Sequence, residues 1–185
     1  MTEIGQLVQE AIHCSGRNLS AKAFSSGCKA FDLTMKKQLE KDEISTLESK
    51  NFINEHWWII EFMGLQGRGP ISDEILEGMK KKIPGFGPKQ MTDDILAYVV
   101  KQNLITNSMP IGFEFQHSTF FELKDEKVLV PNRFVYGLIG TAIFHPLNKD
   151  EEILDNYWLE FGSFRMFVSE LWGRSDLLER AVRFS

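Results

Sequence analysis

At Pro110 the spacing of apolar residues along the chain changes, and that change narrows the folds open to it. Before it, apolar side chains recur at helical intervals, as in Ile4, Leu7, Val8, Ala11 and Ile12, the stripe of an amphipathic helix. After it the period is two. Ile111, Phe113, Phe115, Phe121 and Leu123 fall on one side, and Glu114, Gln116, Ser118 and Glu122 fall on the other. The run "KDEK" (124–127) then reads as a polar turn before Val128-Leu129-Val130, which predicts a β-hairpin around 111–130 with one wet face. The expected class is α+β: several helices packed on an antiparallel sheet in one compact domain, residues 1–185.

Other segments are read from their end signals. Residues 15–30, opening "SGRNLSAKAFSSGC", are small and polar and are read as a mobile loop. From Phe31 to about Met63 the pattern is mainly helical, with Ser45 as N-cap and Leu47, Phe52, Trp57 and Ile60 as core candidates. The bulky, β-branched run 57–63 suits a strand as well as a helix, and 132–144 suits either a buried helix with Gly137 and Gly140 at a close approach or a strand pair. Ser72 and Thr92 are read as caps of two further helices. Acidic residues lead both, and Pro84-Gly85 stops the first. Tyr157, Phe161, Phe164, Val168, Leu171 and Trp172 repeat at helical spacing, and Asp176 with Glu179 forms a capping-box pair for a terminal helix.

A chain of 185 residues with 43% hydrophobic and 12% aromatic content can bury a core without staples. Two cysteines in no framework spacing suggest reduced thiols. The start "MTEIGQLVQE" lacks the basic-then-apolar order of a secretory signal, and the run 134–144 is short of the roughly 20 residues a bilayer needs. The expectation is a soluble cytoplasmic protein without membrane association. Net charge is −5, from 26 acidic against 21 basic residues, a sign that repels nucleic-acid phosphates and attracts cationic partners.

Each candidate site has a plainer reading beside it. Gly64 and Gly69 have the spacing of a phosphate-cradling loop. However, Pro70 and Ile71 stand where the lysine and hydroxyl belong, and Asp73 and Glu74 occupy the following helix start. A turn before a capped helix explains the segment. His13, Cys14 and Cys28 lack the paired spacing of a zinc site, so no metal and no cofactor is expected. "FGSFR" lacks the second glycine of a nucleophile elbow, and the histidines at 13, 56, 117 and 145 are scattered. Residues 72–130 have the outline of a winged helix-turn-helix, yet the second helix leads with Asp93-Asp94 and offers few basic groups to phosphates.

One cluster remains. Asp150, Glu151, Glu152, Asp155 and Glu160 surround Tyr157 and Trp158, a charged rim around aromatic anchors of the kind that holds a basic protein. Its plainer reading is a solvated loop with the acidic first turn of a helix. By elimination the sequence predicts a non-enzymatic, protein-binding domain of the acidic inhibitor or immunity type, with a cationic partner such as a toxin nuclease. The alternatives are a winged-helix-like nucleic-acid regulator and a small enzyme with a histidine-containing pocket.

Overall fold

The computed structural model describes residues 2–66 and 71–183. Seven α-helices among them carry the architecture: α1 (Glu3–Gly16), α2 (Ser20–Leu39), α3 (Thr46–Leu65), α4 (Asp73–Lys82), α5 (Thr92–Thr106), α6 (Val135–Phe144) and α7 (Ser175–Arg183). Two small sheets complete it. One joins β1 (Phe113–Gln116), β2 (Glu122–Lys124) and β3 (Lys127–Pro131) in the order β1-β3-β2, and the other joins β4 (Trp158–Phe161) to β5 (Phe164–Phe167). The class is α+β, as the sequence predicts. Among the described residues no helix is long and apolar enough to cross a membrane.

The central element is α6. It is buried on every side and rests on α2 and α3, which accounts for its apolar composition all round. Gly137 makes this possible, because a β-carbon there would stand 2.7 Å from the Ile60 carbonyl oxygen of α3. The helices meet backbone to backbone. The run 57–63 is the C-terminal part of α3 and 132–144 is helical, so both alternatives resolve to helix. A capping box between Ser45 and Glu48 starts α3; the Lys41 ammonium and Ser45 hold the Glu48 carboxyl down at about 2.

Core residues fall into two groups on either side of α6. One gathers α1, α7 and the β4–β5 sheet around Val8, Ile143, Phe144, Phe161, Leu171 and Leu178. The other gathers α4, α5 and the three-stranded sheet around Phe31, Phe52, Ile60, Val100 and Val128. Each such fully buried side chain contributes roughly 1.5–3 kcal/mol relative to exposure. In the second group a cavity of about 30 Å³ lies between Trp57, Met79, Leu96, Val99 and Phe121. The side chains around it are apolar apart from Thr92, so it offers no pair of polar groups to chemistry.

Several sequence expectations are corrected. Residues 15–30 are not a mobile loop: α1 runs to Gly16 and α2 starts at Ser20, because Ala23, Phe24, Ala30 and Phe31 make a buried stripe that outweighs the small residues between them. Leu47 is 66% exposed and not core. At α5 the backbone N–H of Met91 donates to Asp94, and Thr92 lies inside the helix rather than capping it. The hairpin near 111–130 is β2–β3, closed at Asp125-Glu126, both of which have positive φ, as a type I′ turn requires. β1 instead joins β3 in parallel. Ile111 precedes β1 and is 94% exposed. The expected helix from Tyr157 to Trp172 is a hairpin, because Gly162-Ser163 turns the chain and Leu159 and Phe161 alternate inward against outward Trp158 and Glu160.

Candidate functional site

The acidic segment begins at Asp150, after a short turn at Pro146–Asn148 that follows α6. Residues 152–155 lie along α1 and are held there by backbone bonds: Glu152 N–H donates to the Thr2 hydroxyl at 3.2 Å, and Leu154 N–H donates to Gln9 Oε1 at 2.7 Å. Gly5 makes room for them, since a β-carbon there would stand 1.8 Å from the Glu152 carbonyl oxygen.

The carboxylates of the predicted cluster do not act together. Glu151 turns inward, pairs with Lys37 at 3.0 Å and keeps Oε2 buried with no hydrogen-bond partner among the described residues. Asp155 accepts from Gln9 at 3.2 Å and from the Tyr157 hydroxyl at 3.4 Å. Burial, and then the neighbouring Asp155, raise the Tyr157 phenol above its ordinary value. Glu160 pairs with Arg165 at 3.3 Å. Asp150 and Glu152 remain exposed, with no ion pair among the described residues.

What the structure adds is the other half of the hairpin. Trp158 lies opposite Phe167, and Glu160 lies opposite Arg165. The Trp158 and Phe167 ring centroids are 3.6 Å apart, and the Arg165 guanidinium sits 5.0 Å from the indole centroid, within cation–π reach. Trp158 is still 48% exposed, and Leu147 and Leu154 are also exposed nearby in sequence. Sequence reasoning missed Arg165 and Phe167. Their signal was the two-residue Gly162-Ser163 turn between alternating apolar positions. Beside Asp155 and Tyr157, the α1 residues Gln9, Glu10 and His13 line a groove of about 600 Å³. Lys22 and Ser26 hold the Glu10 carboxyl below its usual range.

The histidines form a different cluster. His56 and His145 are both buried, with ring centroids 5.2 Å apart, and Phe52 lies against His56. His145 Nδ1 accepts from the Leu147 backbone at 3.3 Å, so Nε2–H donates to Gln38 Oε1 at 2.7 Å. His56 Nδ1 lies 2.9 Å from the Phe52 carbonyl and donates to it. Burial first, and then His56, push His145 down to about 4. Next to them Asn148 donates to Thr34 Oγ1 and to the Ala142 carbonyl, and accepts from Lys37. Of the ring bonds, His145 Nε2–H to Gln38 joins the end of α6 to α2, while the His56 bond stays within α3 and the Leu147 bond is local. His117 is exposed and bonds Asn132 at 3.0 Å.

Other sequence candidates are dispersed. Cys14 and Cys28 are free and buried, and among the described residues no three His, Cys, Asp or Glu side chains are grouped to hold a metal ion. Gly64 packs against Phe134 inside the α3–α6 contact, Leu65 ends α3, and residues 67–70, with Gly69 and Pro70, lie outside the described residues. In α5, Asp93 and Asp94 pair with Lys50 of α3.

A family model described as Rv1289 matches residues 3–185. Among curated proteins the chain is 34% identical over 58 residues to "Uncharacterized protein Rv1289" of Mycobacterium tuberculosis and to "Uncharacterized protein Mb1320" of Mycobacterium bovis. The matched stretch is 31% of this chain and 28% of either relative. No solved structure matches.

Proposed function

This chain belongs to the Rv1289 family, and we propose that it acts by binding a basic protein, without catalysing a reaction. The binding face is the segment 150–160 with the β4–β5 hairpin, and the particular form we propose is neutralisation of a cationic protein in the cytoplasm, such as a toxin nuclease. One observation carries this reading: Trp158 stays half exposed while Phe167 and Arg165 fix its orientation. A pre-ordered aromatic loses little entropy on contact and is the residue type that dominates interface energy. Asp150 and Glu152, exposed in the segment leading to the hairpin, supply negative charge that speeds encounter with a cation and adds little to final affinity.

The reading differs from the sequence expectation in its residues. Glu151 serves the interior through Lys37. The anchors are Trp158, Phe167 and Arg165, with Tyr157 behind them and Asp155 and Glu160 at the margins.

The test uses the partner co-purified with the native protein and measures rates by surface plasmon resonance. Changing Asp150→Lys together with Glu152→Lys is expected to slow association about tenfold and flatten its salt dependence. Trp158→Ala is expected to speed dissociation at least tenfold, a loss on the order of 1.4 kcal/mol or more. Unchanged rates in both variants would remove this face as the interface.

A further inference from the structure

In the β4–β5 ladder, Val168 N–H donates to the Tyr157 carbonyl at 2.9 Å. With the observed register, the hydrogen-bonded pairs are then Tyr157 with Val168, Leu159 with Met166, and Phe161 with Phe164. The alternate residues direct their N–H and C=O groups away from the partner strand: Trp158 and Glu160 on β4, Arg165 and Phe167 on β5. On β5 this outer edge is partly closed, because Phe167 N–H donates to the Glu170 carboxylate at 3.1 Å. On β4, Trp158 and Glu160 have no backbone partner among the described residues.

Open edges are normally blunted by lysine, proline or a bulge. β4 reads Trp-Leu-Glu-Phe and carries none of these. Its outward side chains are a half-exposed indole and a carboxylate. Of the five carboxylates between 149 and 165, Glu151 is paired with Lys37 and Glu160 with Arg165, which leaves Asp150, Glu152 and Asp155 against Lys149, so the surroundings of this edge stay net negative and favour a cationic strand.

We infer that β4 receives an extended, basic segment of the partner as a third strand of the β4–β5 sheet, bonded to the backbone of Trp158 and Glu160. This rests on the binding function proposed above and specifies how the partner is held. Main-chain bonds supply the register. A side chain opposite Trp158 stacks on the indole, and a lysine or arginine two residues along meets Glu160, since alternate residues share a face.

The probe is a ten-residue peptide alternating lysine and threonine, titrated calorimetrically at low ionic strength. Its control carries the same charges with alternate backbone nitrogens methylated on the pairing edge. The plain peptide is expected to bind, the methylated one at least tenfold more weakly, and hydrogen exchange at Trp158 and Glu160 is expected to slow in the complex. Glu160→Pro removes one outward N–H and leaves the Leu159 and Phe161 ladder bonds intact, and is expected to weaken binding at least tenfold. Glu160→Thr keeps the N–H and is expected to weaken it only two- to fivefold. Because methylation changes the peptide alone, that arm stands even if Glu160→Pro does not fold. Equal binding of both peptides, unslowed exchange at Trp158 and Glu160, or no binding of the plain peptide overturns strand addition. If both peptides bind equally and Asp150→Lys with Glu152→Lys weakens both, the acidic face keeps its role and only the strand fails.

Discussion

In the seam where α6 meets α2 and α3, histidine and asparagine are buried, and bonds from His145 and Asn148 join α6 to α2, with the Lys37–Glu151 pair at the margin. In the β4–β5 hairpin, tryptophan, arginine and glutamate meet on the solvent side, and one backbone edge is left unpaired among the described residues. Residue types usually associated with chemistry thus do structural work in the seam, while the hairpin holds an aromatic group ready and exposed. Burial is the cause of the difference. A polar group inside must find a partner or cost roughly 1–3 kcal/mol, so the buried His145 is committed to Gln38, and the buried Asn148 to Thr34 and the Ala142 carbonyl. Outside, water satisfies what the protein does not.

The contrast breaks most readily at Gly137. A β-carbon there meets the Ile60 carbonyl and Cα at 2.7 and 3.1 Å, and both are backbone atoms that cannot rotate aside. Gly137→Ala should therefore cost about 3–4 kcal/mol in urea unfolding, as overpacking and helix displacement combine. A loss under about 1 kcal/mol would mean that α3 and α6 slide freely, and the seam would not be the rigid half of the comparison.

Asn148→Ala comes next, with an expected loss of about 2–4 kcal/mol, because Thr34 and the Ala142 carbonyl each lose a partner inside, while the exposed Lys37 can turn to water. The matching change on the hairpin side is Ser169→Ala, which removes the exposed bond to Asn156 and should stay within about 0.5 kcal/mol. Equal losses in the two variants would erase the distinction between committed and solvated polar groups.

A further effect on the seam side is read by pH. Burial, with His56 and Lys37 nearby, holds His145 at about 4 against an ordinary 6.5, and Glu55 opposes them. The unfolded chain takes up the proton first, so stability present above pH 6.5 is lost as the pH falls from 6.5 through 4. Allowing for screening by nearby solvent, the loss is on the order of 2 kcal/mol. Urea unfolding at pH 7 and pH 4.5 measures it, and His145→Gln should reduce the difference. A wild-type difference that persists undiminished in His145→Gln would assign the acid sensitivity to other groups.

The helices were legible where several signals coincide. Ser72 and its acidic first turn and the α5 stripe of Ile95, Leu96, Val99 and Val100 are found in the structure, whereas α7 starts at Ser175 and Asp176 lies in its first turn, where its carboxylate accepts from Arg174 instead of capping the helix with Glu179. The turn at Asp125-Glu126 was legible for the same reason. The parallel pairing of β1 with β3 was not, because two short apolar strands close in sequence satisfy the same period in either direction. The helical spacing from Tyr157 to Trp172 was real as a list of buried positions. It misled because a tight turn at Gly162-Ser163 returns the chain along itself, and two short inward-facing strands can mimic a helical repeat.

The sequence by itself determined the class, the positions of most helices and the chemistry of the acidic segment, since caps, periodicity and charge are properties of neighbours along the chain. Tertiary structure decided which polar residues meet. His56 and His145 come together across 89 positions because α3 and α6 approach through Gly137, and Glu151 finds Lys37 because α2 passes beneath it. Partners so far apart in the chain leave no periodic trace, and only the packed arrangement shows which charges are spent inside and which remain for another molecule.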